Sequence, residues 1–276
     1  MLFMSINQKG TLDRILNPDG HTVIMAMDHA RMNGIFNGLI NPIPAIEAAI
    51  EGGADGIMTS YGVLKHYRSI LDGNLAKILR LDTGATRFRD NWEEFREWYQ
   101  VFTVDDALRV QADAVITYGF PGIEVDATTL KIMGRVAADA DKCGLVSIAE
   151  MHACPSPGVA NPYDPEIVAS ESRIASEFGA DIVKTDYTGS VDTFKKVTSA
   201  CPIPIICAGG KKCATPRDTF VMMENIMLAG GAGCIFGRQI WQDECPLGIV
   251  KGLVALAHDG ATVDGAVEIY RETKGK

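Results

Sequence analysis

The chain has 276 residues, 47% of them hydrophobic and 22% charged, with 28 Gly and 12 Pro; that composition supplies a large core and excludes disordered, collagen-like and coiled-coil chains. A formal net charge of −9 argues against a general affinity for nucleic acid or anionic membranes, which want a basic face. It leaves room for a local basic pocket that takes a small anion.

The opening stretch MLFMSINQKG lacks the charged leader, long apolar run and cleavage site of a signal peptide, and no apolar run reaches the ~18 residues of a membrane span. A cytoplasmic protein with no membrane partner is the expectation. From there, short apolar runs alternate with helical patterns, the signature of βαβ units and a parallel sheet. Eight runs follow in order: Thr22 to Asp28, Gly56 to Ser60, Ala76 to Leu81, Ala114 to Tyr118, Leu145 to His152, Asp181 to Asp186, Pro204 to Ala208, and Cys234 to Gly237. Eight is the number of a TIM barrel, and no linker or composition shift divides the chain, so the pattern predicts one (βα)8 domain over 1–276.

A recurrent phrase supports this reading. Gly53-Ala54-Asp55, Ala112-Asp113, Gly179-Ala180-Asp181 and Gly231-Ala232-Gly233 each stand immediately before a run, as in a helix that ends at a Gly cap and turns tightly into a strand. After the third run the segment 85–103 breaks the repeat. Trp92, Phe95, Trp98, Tyr99 and Phe102 recur there at helical spacing, which predicts an aromatic-rich amphipathic helix on the barrel rim or at a subunit contact, with an active-site lid as the alternative. Thr103 to Asp106 then offers a capping box for the next helix. The seven cysteines, 143, 154, 201, 207, 213, 234 and 245, are an odd number without a C-x-x-C pair, and read as reduced packing residues.

Reactive groups of a parallel barrel gather at the carboxyl ends of its strands. Those ends are polar here, among them Asp28-His29, Glu150-Met151-His152, Lys184-Thr185-Asp186, Gly209-Gly210-Lys211 and Gly237-Arg238. Lys184 closes a run that should be buried on both faces. Burial disfavours an ammonium, so such a lysine is either ion-paired, with Asp28, Glu150 or Asp186, or is a neutral amine able to attack a carbonyl. Gly209 and Gly210 after the seventh run, with Gly237 and Arg238 after the eighth, match the place where barrels bind phosphate. Glu150 and His152 are two apart and share a strand face, as do Lys184 and Asp186. His152 suits proton transfer, and Asp28 can orient a lysine or substrate hydroxyls. A metal set of His29, Asp82, Glu150 and His152 is chemically conceivable, but no tight ligand spacing supports it.

With these residues in view the sequence resembles, over nearly its whole length, the class I aldolase family of archaeal-type fructose-bisphosphate aldolases. That family also contains 2-amino-3,7-dideoxy-D-threo-hept-6-ulosonate synthase and the thiolase of phosphorylated autoinducer-2. The resemblance is carried by MAMDHAR around Asp28, ADIVKTDYTGS around Lys184, ICAGGKK around Gly209 and Gly210, and GCIFGRQIWQ around Arg238. It implies a metal-independent, cofactor-free aldolase in which Lys184 forms a Schiff base with a ketose phosphate and Asp28 assists proton transfers. His29 and Glu150 would contact substrate, and Gly209, Gly210, Gly237 and Arg238 would surround the phosphate. A homo-oligomer built from pentameric rings is implied as well. The simplest reaction is cleavage of fructose 1,6-bisphosphate to dihydroxyacetone phosphate and glyceraldehyde 3-phosphate; a sister carbon–carbon lyase or transferase and a non-catalytic phosphosugar-binding barrel are the alternatives.

One departure stands out. Where the family shows a tyrosine acid/base followed by Pro-Arg-Gly, this chain reads His152-Ala153-Cys154-Pro155-Ser156-Pro157-Gly158. His152 takes the tyrosine's place, with an ionisation expected near the ordinary histidine value of about 6.5. The missing arginine and the long aromatic segment both point to an altered far end of the substrate.

Overall fold

A computed structural model describes residues 9–275; residues 1–8, on which the leader reading partly rests, lie outside them. The eight predicted runs form β1 (Thr22–Ala26), β2 (Gly56–Thr59), β3 (Ala76–Arg80), β6 (Ala114–Gly119), β7 (Val146–Met151), β8 (Ile182–Thr185), β9 (Ile205–Ala208) and β10 (Gly233–Phe236). They pair in parallel and close into a barrel in the order β1-β10-β9-β8-β7-β6-β3-β2, with helices between them along the chain. No helix among the described residues is long and apolar enough to cross a membrane.

Both faces of these strands are apolar for a physical reason. Alternate residues point inward, and Ile24, Ile78, Ile116, Ile148, Ile182, Ile206 and Ile235 form a buried apolar cluster in the interior. The residues between them, such as Val23, Leu79, Val115, Ala149, Val183 and Cys207, join the larger cluster that also takes in helical residues such as Val168, Phe194 and Phe220. Two positions beyond the interior isoleucines, the same period reaches Arg80 on β3, Tyr118 on β6, Glu150 on β7 and Lys184 on β8. The inward face therefore turns from isoleucine to charge within one strand residue pair, and that switch marks the mouth.

The recurrent phrases sit at the opposite pole, where their aspartates act as strand-end caps. Asp55 accepts from Val23 N at 2.6 Å, Asp113 from Lys77 N at 2.9 Å and Asp181 from Ser147 N at 2.7 Å. The expected glycine cap holds at Gly53 and Gly179, both with left-handed φ, but Gln111 takes that conformation before Ala112, and Gly230 rather than Gly231 does so in the last phrase. His258 bridges this pole, with Nδ1 2.6 Å from Asp19 and Nε2 3.0 Å from Asp55.

The aromatic segment is not an amphipathic helix. β4 (Asp82–Gly84) pairs antiparallel with β5 (Trp98–Gln100), and the chain between them holds one 3-10 turn at Trp92–Glu94. Asn91 and Phe95, which bracket that turn, adopt left-handed backbone conformations. Helical spacing of the rings is outweighed by their packing against the barrel end: Trp98 Nε1 donates to Asp82 Oδ2 at 2.7 Å, and Phe95 stacks on Phe120 with centroids 4.8 Å apart. The predicted capping box at Thr103 and Asp106 is present and starts the next helix.

Candidate active site

The residues expected to act on or contact substrate, Asp28, His29, Glu150, His152, Lys184, Gly209, Gly210, Gly237 and Arg238, line one cavity of about 460 Å³ at the carboxyl ends of the strands. Glu150 and Lys184 are register partners on β7 and β8. Lys184 is 4% exposed, and its Nζ lies 2.5 Å from Glu150 Oε1 and 3.8 Å from the Met58 thioether. One step beyond, His152 Nδ1 meets Asp186 Oδ2 at 2.6 Å. Of the partners considered for the lysine, the structure thus selects Glu150, while Asp186 belongs to His152.

Burial works against the charged imidazole of His152, but the hydrogen bond and charge of Asp186 outweigh it and push its pKa up to about 9. The expectation of an ordinary value near 6.5 is corrected accordingly. With Nδ1 engaged, Nε2 is the nitrogen left to meet a substrate. His29 behaves oppositely: burial lowers its pKa, despite Asp28 nearby. Its ring packs edge-on against Phe36 and Trp241, and Nδ1 is buried without a hydrogen-bond partner.

A fully buried arginine, not anticipated from the sequence, organises the centre. Arg80 Nε donates to Asp28 Oδ2 at 3.0 Å, its Nη2 pairs with Glu150 Oε2, and Nη1 lies 3.6 Å from Asp82 Oδ1. The guanidinium also lies 3.9 Å from the Tyr118 ring centroid. Burial alone would raise the Asp28 and Glu150 pKa values. The charges of Arg80 and Arg31 instead hold Asp28 well below the usual carboxylate range, and Lys184 followed by Arg80 lowers Glu150. Asp82 is pushed up by burial, and it sits behind the cavity, accepting from the Trp98 indole and from Tyr118 N at 2.7 Å each. Three of the four residues of the metal alternative are engaged elsewhere: Glu150 faces Lys184 and Arg80, His152 faces Asp186, and Asp82 faces Arg80 and Trp98.

The glycine turns at β9 and β10 form a cradle. Gly210 has φ +61, and a Cβ on Gly237 would stand 2.8 Å from Ala26 O and 2.9 Å from His29 Cε1, so neither position admits a side chain without strain. Gln239, 1% exposed, fixes the first turn by donating Nε2 to Gly209 O at 2.6 Å and Lys211 O at 2.7 Å while accepting from Cys213 N. Arg238 lines the same cavity, and its Nε is buried without a partner. Behind the loop that carries His152, Glu171 accepts from Ala153 N and Thr185 Oγ1, both at 2.7 Å, and burial raises its pKa to about 7.

Arg80, Arg31, Gln239 and Glu171 were missed from the sequence. Arg80 carried a usable signal, because it interrupts an apolar strand just as Lys184 does. Glu171 and Gln239 lie in helical patterns, where a polar residue ordinarily faces water, and no local signal separates them from surface residues.

Residues 22–243 match the family described as DeoC/LacD family aldolase. The chain is 31% identical to 2-amino-3,7-dideoxy-D-threo-hept-6-ulosonate synthase of Halobacterium salinarum, over 95% of this chain and 93% of the relative. It is 30% identical to fructose-bisphosphate aldolase class 1 of Thermoproteus tenax, over 90% and 93%. Among solved structures, an archaeal fructose 1,6-bisphosphate aldolase superposes with a TM-score of 0.83 at 28% identity, covering 92% of this chain and 100% of that one. Another, with its catalytic lysine covalently bound to the carbinolamine intermediate of the substrate, gives 0.81 at 28% identity, covering 91% and 99%.

Proposed function

The chain belongs to the DeoC/LacD family of aldolases, a class I aldolase-like lyase, and from that premise we propose that Lys184 is the Schiff-base lysine of a retro-aldol reaction on a phosphorylated ketose. The observation that carries the assignment is the Lys184 amine, buried at the mouth of β8 against Glu150 and facing the cavity that also holds the glycine cradle.

In the cleavage direction Lys184 Nζ adds to the ketose carbonyl and water leaves, giving an iminium. Glu150, at 2.5 Å, is placed to take the amine proton before attack. The C3–C4 bond then breaks, its electron pair flows toward the iminium nitrogen as an enamine, and the C4 hydroxyl proton passes to neutral His152 Nε2 while C4 departs as an aldehyde. Reprotonation of the enamine carbon and addition of water release the ketone and the amine. Asp28, held ionised beside Arg80, orients hydroxyls and assists proton transfers, with His29 beside it. Gly209, Gly210, Gly237 and Arg238 receive the phosphate, whose charge would satisfy the Arg238 Nε.

Fructose 1,6-bisphosphate is the simplest substrate of this kind, and it is the one that the name of the Thermoproteus relative states. A sister lyase or transferase on another ketose phosphate is favoured by one observation: the loop after β7 carries Ala153, Cys154 and Pro155 in place of an arginine-bearing turn. The assembly of five-membered rings suggested by the resemblance belongs to the same proposal, and the mass of the particle in solution tests it. For the chemistry, borohydride added with dihydroxyacetone phosphate should trap one adduct on Lys184, and activity should survive EDTA. An adduct on another residue, or activity that needs added zinc, would overturn the assignment.

A further inference from the structure

The mouth of the barrel has two chemically different poles. In the strand order β9 and β10 stand opposite β3 and β6, so the glycine cradle faces the aromatic segment across the cavity, and Lys184 on β8 lies between them. At the cradle, Arg238 Nε is buried without a partner, and neither Arg238 nor Lys211 pairs with a carboxylate among the described residues. At the opposite pole Arg31 and Arg80 both already face carboxylates, although Arg31 Nε and Arg80 Nη1 make no hydrogen bond. Arg80 is held by Asp28, Asp82 and Glu150, and Arg31 donates Nη1 to Asp82 O at 2.6 Å with Nε 3.6 Å from Asp28. The rim there adds Glu93, a further negative charge.

The surface this pole offers is made of rings. Phe95, Phe120 and Tyr118 form a stacked column, with centroids 4.8 and 4.9 Å apart and planes within 12°, which ends on the Arg80 guanidinium. Trp98 closes one side, edge-on to Phe120 at 4.7 Å, and Trp92 lines the cavity beside them. A phosphate dianion delivered here would lose its water and find only cations already engaged by carboxylates, an unfavourable exchange. An uncharged molecule with a flat or apolar face instead gains ring contacts at no charge cost.

Resting on the Schiff-base reading above, we infer that the aldehyde half of the substrate, the fragment beyond C3, is uncharged and presents an apolar or aromatic face to the Phe95–Trp98 wall. The enzyme handles one phosphate, at the cradle, and the carbonyl carbon of an apolar aldehyde is the partner for the enamine carbon in the forming bond; its oxygen takes the proton of the His152 imidazolium. The wall sets the choice of acceptor, and Lys184 and the cradle process the donor.

Addition of dihydroxyacetone phosphate to a panel of aldehydes tests this, with borohydride trapping run on the same preparations. Phenylacetaldehyde and isobutyraldehyde should be used with kcat/KM at least about tenfold above glyceraldehyde 3-phosphate. Phe95→Arg should lower the ratio of phenylacetaldehyde to glyceraldehyde 3-phosphate use by at least about tenfold, and Trp92→Ala should move it the same way. Glyceraldehyde 3-phosphate used as well as or better than the apolar aldehydes overturns the inference, as does a selectivity ratio that neither variant moves. Trapping of the donor on Lys184 with no apolar aldehyde consumed overturns it while sparing the Schiff-base reading; absence of any trapped adduct overturns both.

Discussion

His152 and Asp186 face each other at 2.6 Å across the ends of β7 and β8, Nδ1 against Oδ2, and this pair sets the charge of the only histidine that reaches the cavity from β7. With its pKa raised to about 9, His152 is an imidazolium at neutral pH. It is then a ready acid for aldol addition, and it must lose its proton to act as base in cleavage. The kcat for cleavage should therefore climb with pH through a limb near 9, and Asp186→Asn should move that limb toward about 6.5. His152→Phe should slow turnover by roughly 10²- to 10⁴-fold and leave donor trapping in place. A pH profile that is the same in wild type and Asp186→Asn would remove His152 from the proton path.

Arg80, fully buried, faces three carboxylates at once, Asp28, Asp82 and Glu150. Arg80→Met should cost about 3 to 5 kcal/mol of stability at pH 7 in urea unfolding, because Asp28, Asp82 and Glu150 lose their shared cation. The deficit should narrow as pH falls from 7 toward about 5, since the orphaned carboxyls take up protons. A loss below about 1 kcal/mol would mean that the network contributes little to the fold.

Arg238→Ala should weaken binding of a phosphorylated ketose by roughly 2 to 3 kcal/mol, and affect its non-phosphorylated counterpart far less. Isothermal titration with both ligands separates the outcomes, and equal losses would make Arg238 a structural residue.

At the far pole, the hydrogen bond that His258 donates to Asp55 leads the causes that raise the His258 pKa to about 9, prevailing over burial, with Asp19 adding to it. The folded value exceeds the unfolded one of about 6.5, so this clamp contributes fully below about pH 6.5 and is lost as pH rises through about 9. His258→Gln should cost about 1 to 3 kcal/mol at pH 6 and much less at pH 10. Denaturant midpoints at the two pH values check the sign, and a larger cost at pH 10 would reverse it.

The barrel was legible because strand and helix periods alternate along the chain and Asp55, Asp113 and Asp181 mark the turns. Lys184 and the glycine turns were legible because a charge or a bare backbone is out of place at a buried strand end. The pairing of His152 with Asp186, and so its pKa, depends on which residues meet across β7 and β8, a register that spacing within one strand cannot supply. The aromatic segment misled for a related reason: its rings repeat at helical intervals, but their partners, Phe120 and Asp82, are elsewhere in the chain, and that packing decides the backbone.

The antiparallel strap of β4 and β5 stands outside the parallel hydrogen bonding of the barrel, and the 3-10 turn bearing Trp92 hangs from it. Replacing Trp92 or Phe95 breaks no strand pairing and leaves Lys184 and the cradle untouched. Substitution in this short stretch can therefore re-line one side of the mouth while the eight barrel strands and the residues at their carboxyl ends keep their places.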